Sequence, residues 1–178
     1  LDRFYSALLG IEGFLAGRPE TFPTTLKELK GVAQEVNEKI STVKSKFQEA
    51  MEDDFNTALA LGHLHDLTRF LNRVLGDKGF RKDPAAPALL REGRNRLLES
   101  GNILGLFQQA PAEYFKSQRK RYLQAKGLQE KEIQDLIAKR EAARKAKDWA
   151  RADEIRAQAA SWGILLEDGP KGTTWRPA

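Results

Sequence analysis

Four stretches within residues 1–108 place apolar side chains three and four positions apart, a spacing that calls for helices, each with a single apolar stripe it cannot bury alone. Phe4, Leu8, Ile11 and Leu15 form the first stripe. Residues 24–52 carry the second, with Leu26, Leu29, Val32, Val36, Ile40, Val43 and Phe47 behind a Thr24 or Thr25 cap. The third opens at Asn56, whose side chain can accept from free N–H groups, and runs through Leu59, Leu64, Leu67, Phe70, Leu71 and Val74 to Gly76. After the loop GDKGFRKDPAAP, the fourth runs from Pro87 through Leu90, Leu97 and Leu98 and ends around Leu104 to Phe107. An antiparallel helical bundle is the arrangement that buries all four stripes together.

The pattern weakens between Gln108 and Gly127, and Ala110-Pro111 interrupts any continuous helix, so residues 109–128 read as a linker. Beyond it, residues 129–147 predict a helix with Ile133, Leu136 and Ile137 inward, and Asp148 predicts the N-cap of another from Trp149 to Ser161. Gly163 ends that helix. GILLEDGPKGTTWRP then reads as two short strands around an Asp168-Gly169-Pro170-Lys171-Gly172 turn. The expected fold is therefore mainly α: a bundle over 1–108 and a small α+β module with a C-terminal β-hairpin over 129–178.

The absence of cysteine excludes a disulfide framework, a thiolate zinc site and a cysteine nucleophile, and fits a reducing cytoplasm. His63 and His65 are two residues apart and face different directions on a helix, so with Asp53 and Asp54 they make no metal site; Glu52, Asp53 and Asp54 read as helix-start residues. No nucleophile and base stand at a workable spacing, and no catalytic residue is expected. No apolar run approaches the roughly 20 residues of a membrane helix, so the chain is not expected to span a membrane; the expected protein is a cytoplasmic monomer. The chain opens at Leu1, inside a periodic helix, and reads as cut from something longer.

Charge is unevenly placed. Residues 1–111 hold 15 Lys and Arg against 15 Asp and Glu, whereas residues 112–178 hold 15 against 10, so the whole excess of +5 lies at one end. An anionic partner for that end follows. Arg140, Arg144 and Lys147 recur at helical spacing with Arg151 just beyond, and Trp149 and Trp175 add flat apolar faces beside them, the combination single-stranded RNA uses for stacking and phosphate neutralisation. Either tryptophan could equally be core in so small a module; Trp162 shares a stripe with Ala152, Ile155 and Ala159 and reads as core. Lys171, Arg176 and Arg156 extend the candidate contacts to phosphates or a loop. Acidic residues inside this surface need a reason: Asp153 either pairs with Arg156 or Arg140, or, like Asp168, accepts from the Watson–Crick edge of a guanine or cytosine.

The segment IQDLIAKREAARKAKDWARADEIRAQAASWGILLEDGPKGTTWR closely resembles the C-terminal anticodon-binding domain of bacterial cysteinyl-tRNA synthetases, and MEDDFNTALALGHLHDL at 51–67 resembles the same family's DALR domain. The resemblance implies a class I ligase that esterifies cysteine to tRNA(Cys) with ATP, this part binding the tRNA and reading its GCA anticodon. It further implies that Arg144 and Asp153 contact the first anticodon base, a guanine, that Asp168 also reaches the anticodon, and that Trp149 stacks on or supports the loop. Ala58 stands where the family often has Pro. The HIGH-type sequence, the KMSKS loop and the zinc-binding Cys and His of the family's catalytic domain are absent, so ATP and zinc are implied only for a domain outside this sequence, and this part alone should be inactive. Two alternatives are the paralogous ligase joining cysteine to an amino sugar in mycothiol synthesis, against which the GTTWR ending argues, and a basic helical scaffold for an acidic protein.

Overall fold

The computed structural model describes residues 1–18, 29–169 and 172–178. The expected Thr24 or Thr25 cap, Leu26, Pro170 and Lys171 lie outside the described residues. The chain forms two compact units, Leu1–Ala112 and Glu113–Ala178.

The first unit contains α1 (Asp2–Leu15), α2 (Gly31–Glu52), α3 (Thr57–Gly76), a 3-10 turn at Phe80–Lys82 and α4 (Ala86–Ile103). α3 packs against α1, α2 and α4, and α4 also packs against α1 and α2. Phe4, Leu8, Ile11, Val36, Leu64, Leu67, Leu71, Leu90 and Leu97 are sealed in the shared core, each burial worth about 1.5–3 kcal/mol. Among the described residues five stripe members miss it: Leu15, Leu29, Val32 and Leu98 are half-buried, and Leu59 is 45% exposed at the first turn of α3, ahead of where its neighbours pack. Phe14 and Phe80 are buried instead.

The elbow between α2 and α3 departs from the helix-start reading. Glu52 ends α2 and Asp53 is its C-cap, while Asp54 (φ 50°) and Phe55 (φ 53°) turn the chain in the left-handed region. Asn56 then caps α3 as expected, its Oδ1 accepting from the Leu59 N–H at 3.1 Å. At the far end of the bundle the chain doubles back over α4, the Leu106 N–H donating to the Gly101 carbonyl at 2.8 Å. Phe107, with φ 60°, drops a buried ring onto Gly101 between Phe4 and Tyr5.

The second unit holds most of α5 (Pro111–Lys126), then α6 (Glu130–Lys145), α7 (Trp149–Ser161), β1 (Ile164–Gly169) and β2 (Gly172–Pro177). The linker expected over 109–128 is thus mostly helix; the interruption expected at Ala110-Pro111 falls between α4 and α5, and Pro111 itself opens α5, where a first-turn residue needs no N–H partner. Gln129 and Glu132 form a capping box at the start of α6. Asp148 caps α7 as expected, accepting from the Arg151 N–H at 3.0 Å. The strands pair antiparallel from Ile164 with Pro177 to Gly169 with Gly172, setting Asp168 opposite Thr173. Leu123, Ile133, Ile137, Ala159, Ile164 and Trp175 make the core, with Tyr122, Leu128, Trp162 and Leu166 packed around it.

Tyr122 ties α5 to the α7–β1 corner. Its hydroxyl donates to the carbonyls of Trp162 (2.7 Å) and Gly163 (2.9 Å), and Gly163 turns there with φ 70°. Tyr122→Phe should therefore lower stability by about 1 kcal/mol, seen as a reduced urea midpoint at unchanged m-value; an unmoved midpoint would show that the hydroxyl contributes nothing.

Candidate nucleic-acid interface

α6 packs on α7, α7 on β1, and β1 carries Asp168 back over α6. There the Asp168 carboxylate accepts two parallel hydrogen bonds from Arg140, at 2.7 and 2.9 Å, a third from Arg144 at 2.8 Å and a fourth from the Thr173 hydroxyl at 2.9 Å. A carboxylate has about four lone-pair positions, and all are taken. The Arg140 hydrogen bonds hold its carboxyl far below the usual aspartate range; burial pushes the other way, and Thr173 and the Arg144 charge add to the lowering. Arg140 is raised in turn by the same hydrogen bond, against its own burial.

This arrangement changes the expected strip. Arg140 is only 7% exposed and its guanidinium is committed to Asp168, so it is an anchor rather than a surface cation. The expected Asp153–Arg140 pairing does not form as a hydrogen bond: Asp153 is near enough for its charge to favour protonated Arg140, but the partner is Asp168. Lys147 lies past the end of α6 in the left-handed region (φ 60°), off the helical line of Arg140 and Arg144. What remains at the surface is Arg144, half-exposed and oriented by Asp168, and Asp153, exposed and without a hydrogen bond among the described residues.

The three tryptophans separate cleanly. Trp149 is 60% exposed at the first position of α7, whereas Trp175 is 4% exposed and donates from Nε1 to Glu130 at 3.0 Å. Trp162 is half-buried on the core. Of the other candidate contacts, Arg151 pairs with Glu154 at 2.7 Å and Arg176 with Glu167 at 2.5 Å, both at the surface, and Arg156 is exposed. Thr173 was missed from sequence. Its position opposite Asp168 follows from the hairpin register, which was the one available signal.

The His65 ring packs on Phe4 at 4.3 Å, and among the described residues no three His, Asp or Glu side chains converge. Among those residues no helix is long and apolar enough to cross a membrane.

The first unit is a helical bundle and the second an α+β module with an oriented arginine and an exposed indole, and sequence comparison identifies a domain in each. Residues 46–108 match the DALR domain and residues 128–176 the cysteinyl-tRNA ligase anticodon binding domain. The chain therefore carries a DALR domain and a cysteinyl-tRNA ligase anticodon binding domain, and the curated proteins it is similar to are cysteine–tRNA ligases. It is 43% identical over 176 residues to the cysteine–tRNA ligase of Syntrophotalea carbinolica, covering 99% of this chain and 34% of that protein. It is also 43% identical over 178 residues to that of Geobacter metallireducens (99% and 35%), and 41% over 182 residues to that of Geobacter sulfurreducens (99% and 34%). The chain thus spans about a third of the length of the curated relatives it matches and aligns to their C-terminal part.

Proposed function

We propose that this chain binds tRNA(Cys) and recognises its GCA anticodon with the end of the second unit where α6, α7 and the hairpin meet. In this reading it serves a cytoplasmic, monomeric ligase that attaches cysteine to tRNA using ATP, while ATP and zinc are held by residues outside this chain. The carrying observation is the exposed Trp149 at the α6–α7 junction, five residues from an Arg144 held by a fully occupied Asp168. An exposed aromatic face and an oriented guanidinium carried by one helix–helix junction suit an unstacked base and its backbone.

The roles divide by what each group has free. Arg144 keeps donors beyond its bond to Asp168. Asp153 keeps an unused carboxylate able to accept from adjacent N–H donors of a guanine edge. Asp168, with every acceptor position occupied, serves the anticodon by holding Arg144. Lys147, Arg151, Arg156 and Arg176 stand at the surface as phosphate contacts.

Titration against a GCA anticodon stem-loop and a loop altered at its first anticodon base, at two salt concentrations, tests the reading. Asp153→Ala should remove about 1–3 kcal/mol of discrimination at that base. Lys147→Ala should weaken both complexes alike and reduce the salt dependence by about one phosphate contact. If the two variants lose affinity equally for both loops, Asp153 reads no base.

A further inference from the structure

We propose that α5 is a second RNA-binding element, a basic helix fixed to the anticodon module that lies against the sugar–phosphate backbone; this rests on the tRNA-binding reading above. α5 falls between the two matched domains, which cover 46–108 and 128–176, so neither assigns it a role.

Its charge sets it apart. Between Pro111 and Lys126 stand Lys116, Arg119, Lys120, Arg121 and Lys126 against the single acid Glu113, whereas α6 carries five cations against four acids and α2 three against four. A merely solvated helix interleaves its signs, because like charges at successive turns repel. Several arginines elsewhere pair with carboxylates, among them Arg69 with Asp66, Arg73 with Glu35 and Arg94 with Glu12. Within α5 Lys116 has Glu113 at 3.7 Å, but among the described residues Arg119, Lys120 and Arg121 make no ion pair. Unneutralised guanidinium and ammonium groups at consecutive positions spread positive charge around this turn of the helix, a surface suited to a phosphate backbone.

The helix is also held in place. Leu123 is buried in the module core, Tyr122 bonds the Trp162 and Gly163 carbonyls, and the Arg119 guanidinium stands 6.0 Å from the Trp175 ring centre. A helix fixed before RNA arrives loses little backbone freedom on binding. Backbone contacts carry no sequence information, so α5 should add affinity without adding anticodon preference.

The test uses the full chain with Lys120→Ala/Arg121→Ala, two exposed positions outside the core, against a tRNA(Cys) transcript and the same transcript with an altered anticodon. Affinity should fall about tenfold, by the same factor for both RNAs, and the slope of log K against log salt should flatten by about 1.5, two backbone contacts' worth. Lys120→Arg/Arg121→Lys should keep wild-type slope and affinity. An unchanged slope and affinity in the alanine variant overturns the inference, as does a loss confined to the GCA transcript. If the alanine variant loses affinity for poly-glutamate while tRNA binding stands, the helix serves an acidic protein and the inference fails. Failure of the unaltered chain to bind either transcript sinks the tRNA-binding reading itself, a result distinct from these.

Discussion

Asp168→Ala is expected to destabilise the second unit by about 2–3 kcal/mol, by leaving the buried Arg140 guanidinium with two orphaned donors and freeing Arg144. A fully buried pair would lose more; the Asp168 side chain is 45% exposed, and water screens part of the interaction. All three tryptophans lie in this unit, so their fluorescence during urea unfolding follows it selectively. The effect should carry a pH signature. The Asp168 carboxyl is depressed in the folded state, so its stabilisation is complete above the unfolded aspartate value of about 3.9 and is lost as pH falls below that value towards the folded one. Wild type and Asp168→Asn should accordingly differ most near neutrality and converge in acid. A difference that stays constant from neutral to acid pH would mean that shape, not the carboxylate's charge, holds the hairpin to α6. Because Arg144 is oriented by the same carboxylate, both variants should also weaken anticodon-loop binding.

In the first unit the largest effect is expected from Gly101→Ala. A Cβ there would stand 2.1 Å from Cε2 and 2.2 Å from Cδ2 of Phe107, well inside van der Waals contact. The ring has little room to withdraw: it is buried, its centre lies 5.2 Å from that of Phe4 and 5.8 Å from that of Tyr5, and its backbone already occupies a left-handed conformation. Overpacking of this kind costs about 1–3 kcal/mol, and the crowding here puts the expectation at the upper end. Thermal unfolding followed by far-ultraviolet circular dichroism should show the bundle melting earlier. Gly101→Ala/Phe107→Ala should lose less than the sum of the single variants, since removing the ring removes the clash. Strict additivity would place the cause elsewhere.

Much of the bundle was legible because its signals are local. Val36, Ile40, Val43 and Phe47 lie on one helical face by arithmetic, and a cap such as Asn56 or Asp148 acts three residues away in the chain. α5 was missed for the same reason in reverse. It buries few apolar side chains, Tyr114 and Leu123 among them, so it shows almost no stripe and looks like a linker. The elbow at Asp54 and Phe55 was misread because acids ahead of an Asn cap suit a helix start, and the left-handed turn that separates them from α3 has no marker residue such as glycine.

At the candidate interface, the residue types were readable from sequence and their partners were not. Basic charge gathered at one end, with tryptophans and aspartates set among the arginines, is a property of order and spacing, and so are the helices and the hairpin that carry them. Which tryptophan is free, and which aspartate holds Arg140, depends on contacts between residues far apart in the chain: 28 positions separate Arg140 from Asp168 and 45 separate Glu130 from Trp175. Only packing of α6 against α7, and of α7 against β1, brings those groups within hydrogen-bond distance, so tertiary structure alone made Arg140 and Asp168 an anchor, made Trp175 core and left Trp149 exposed at the surface.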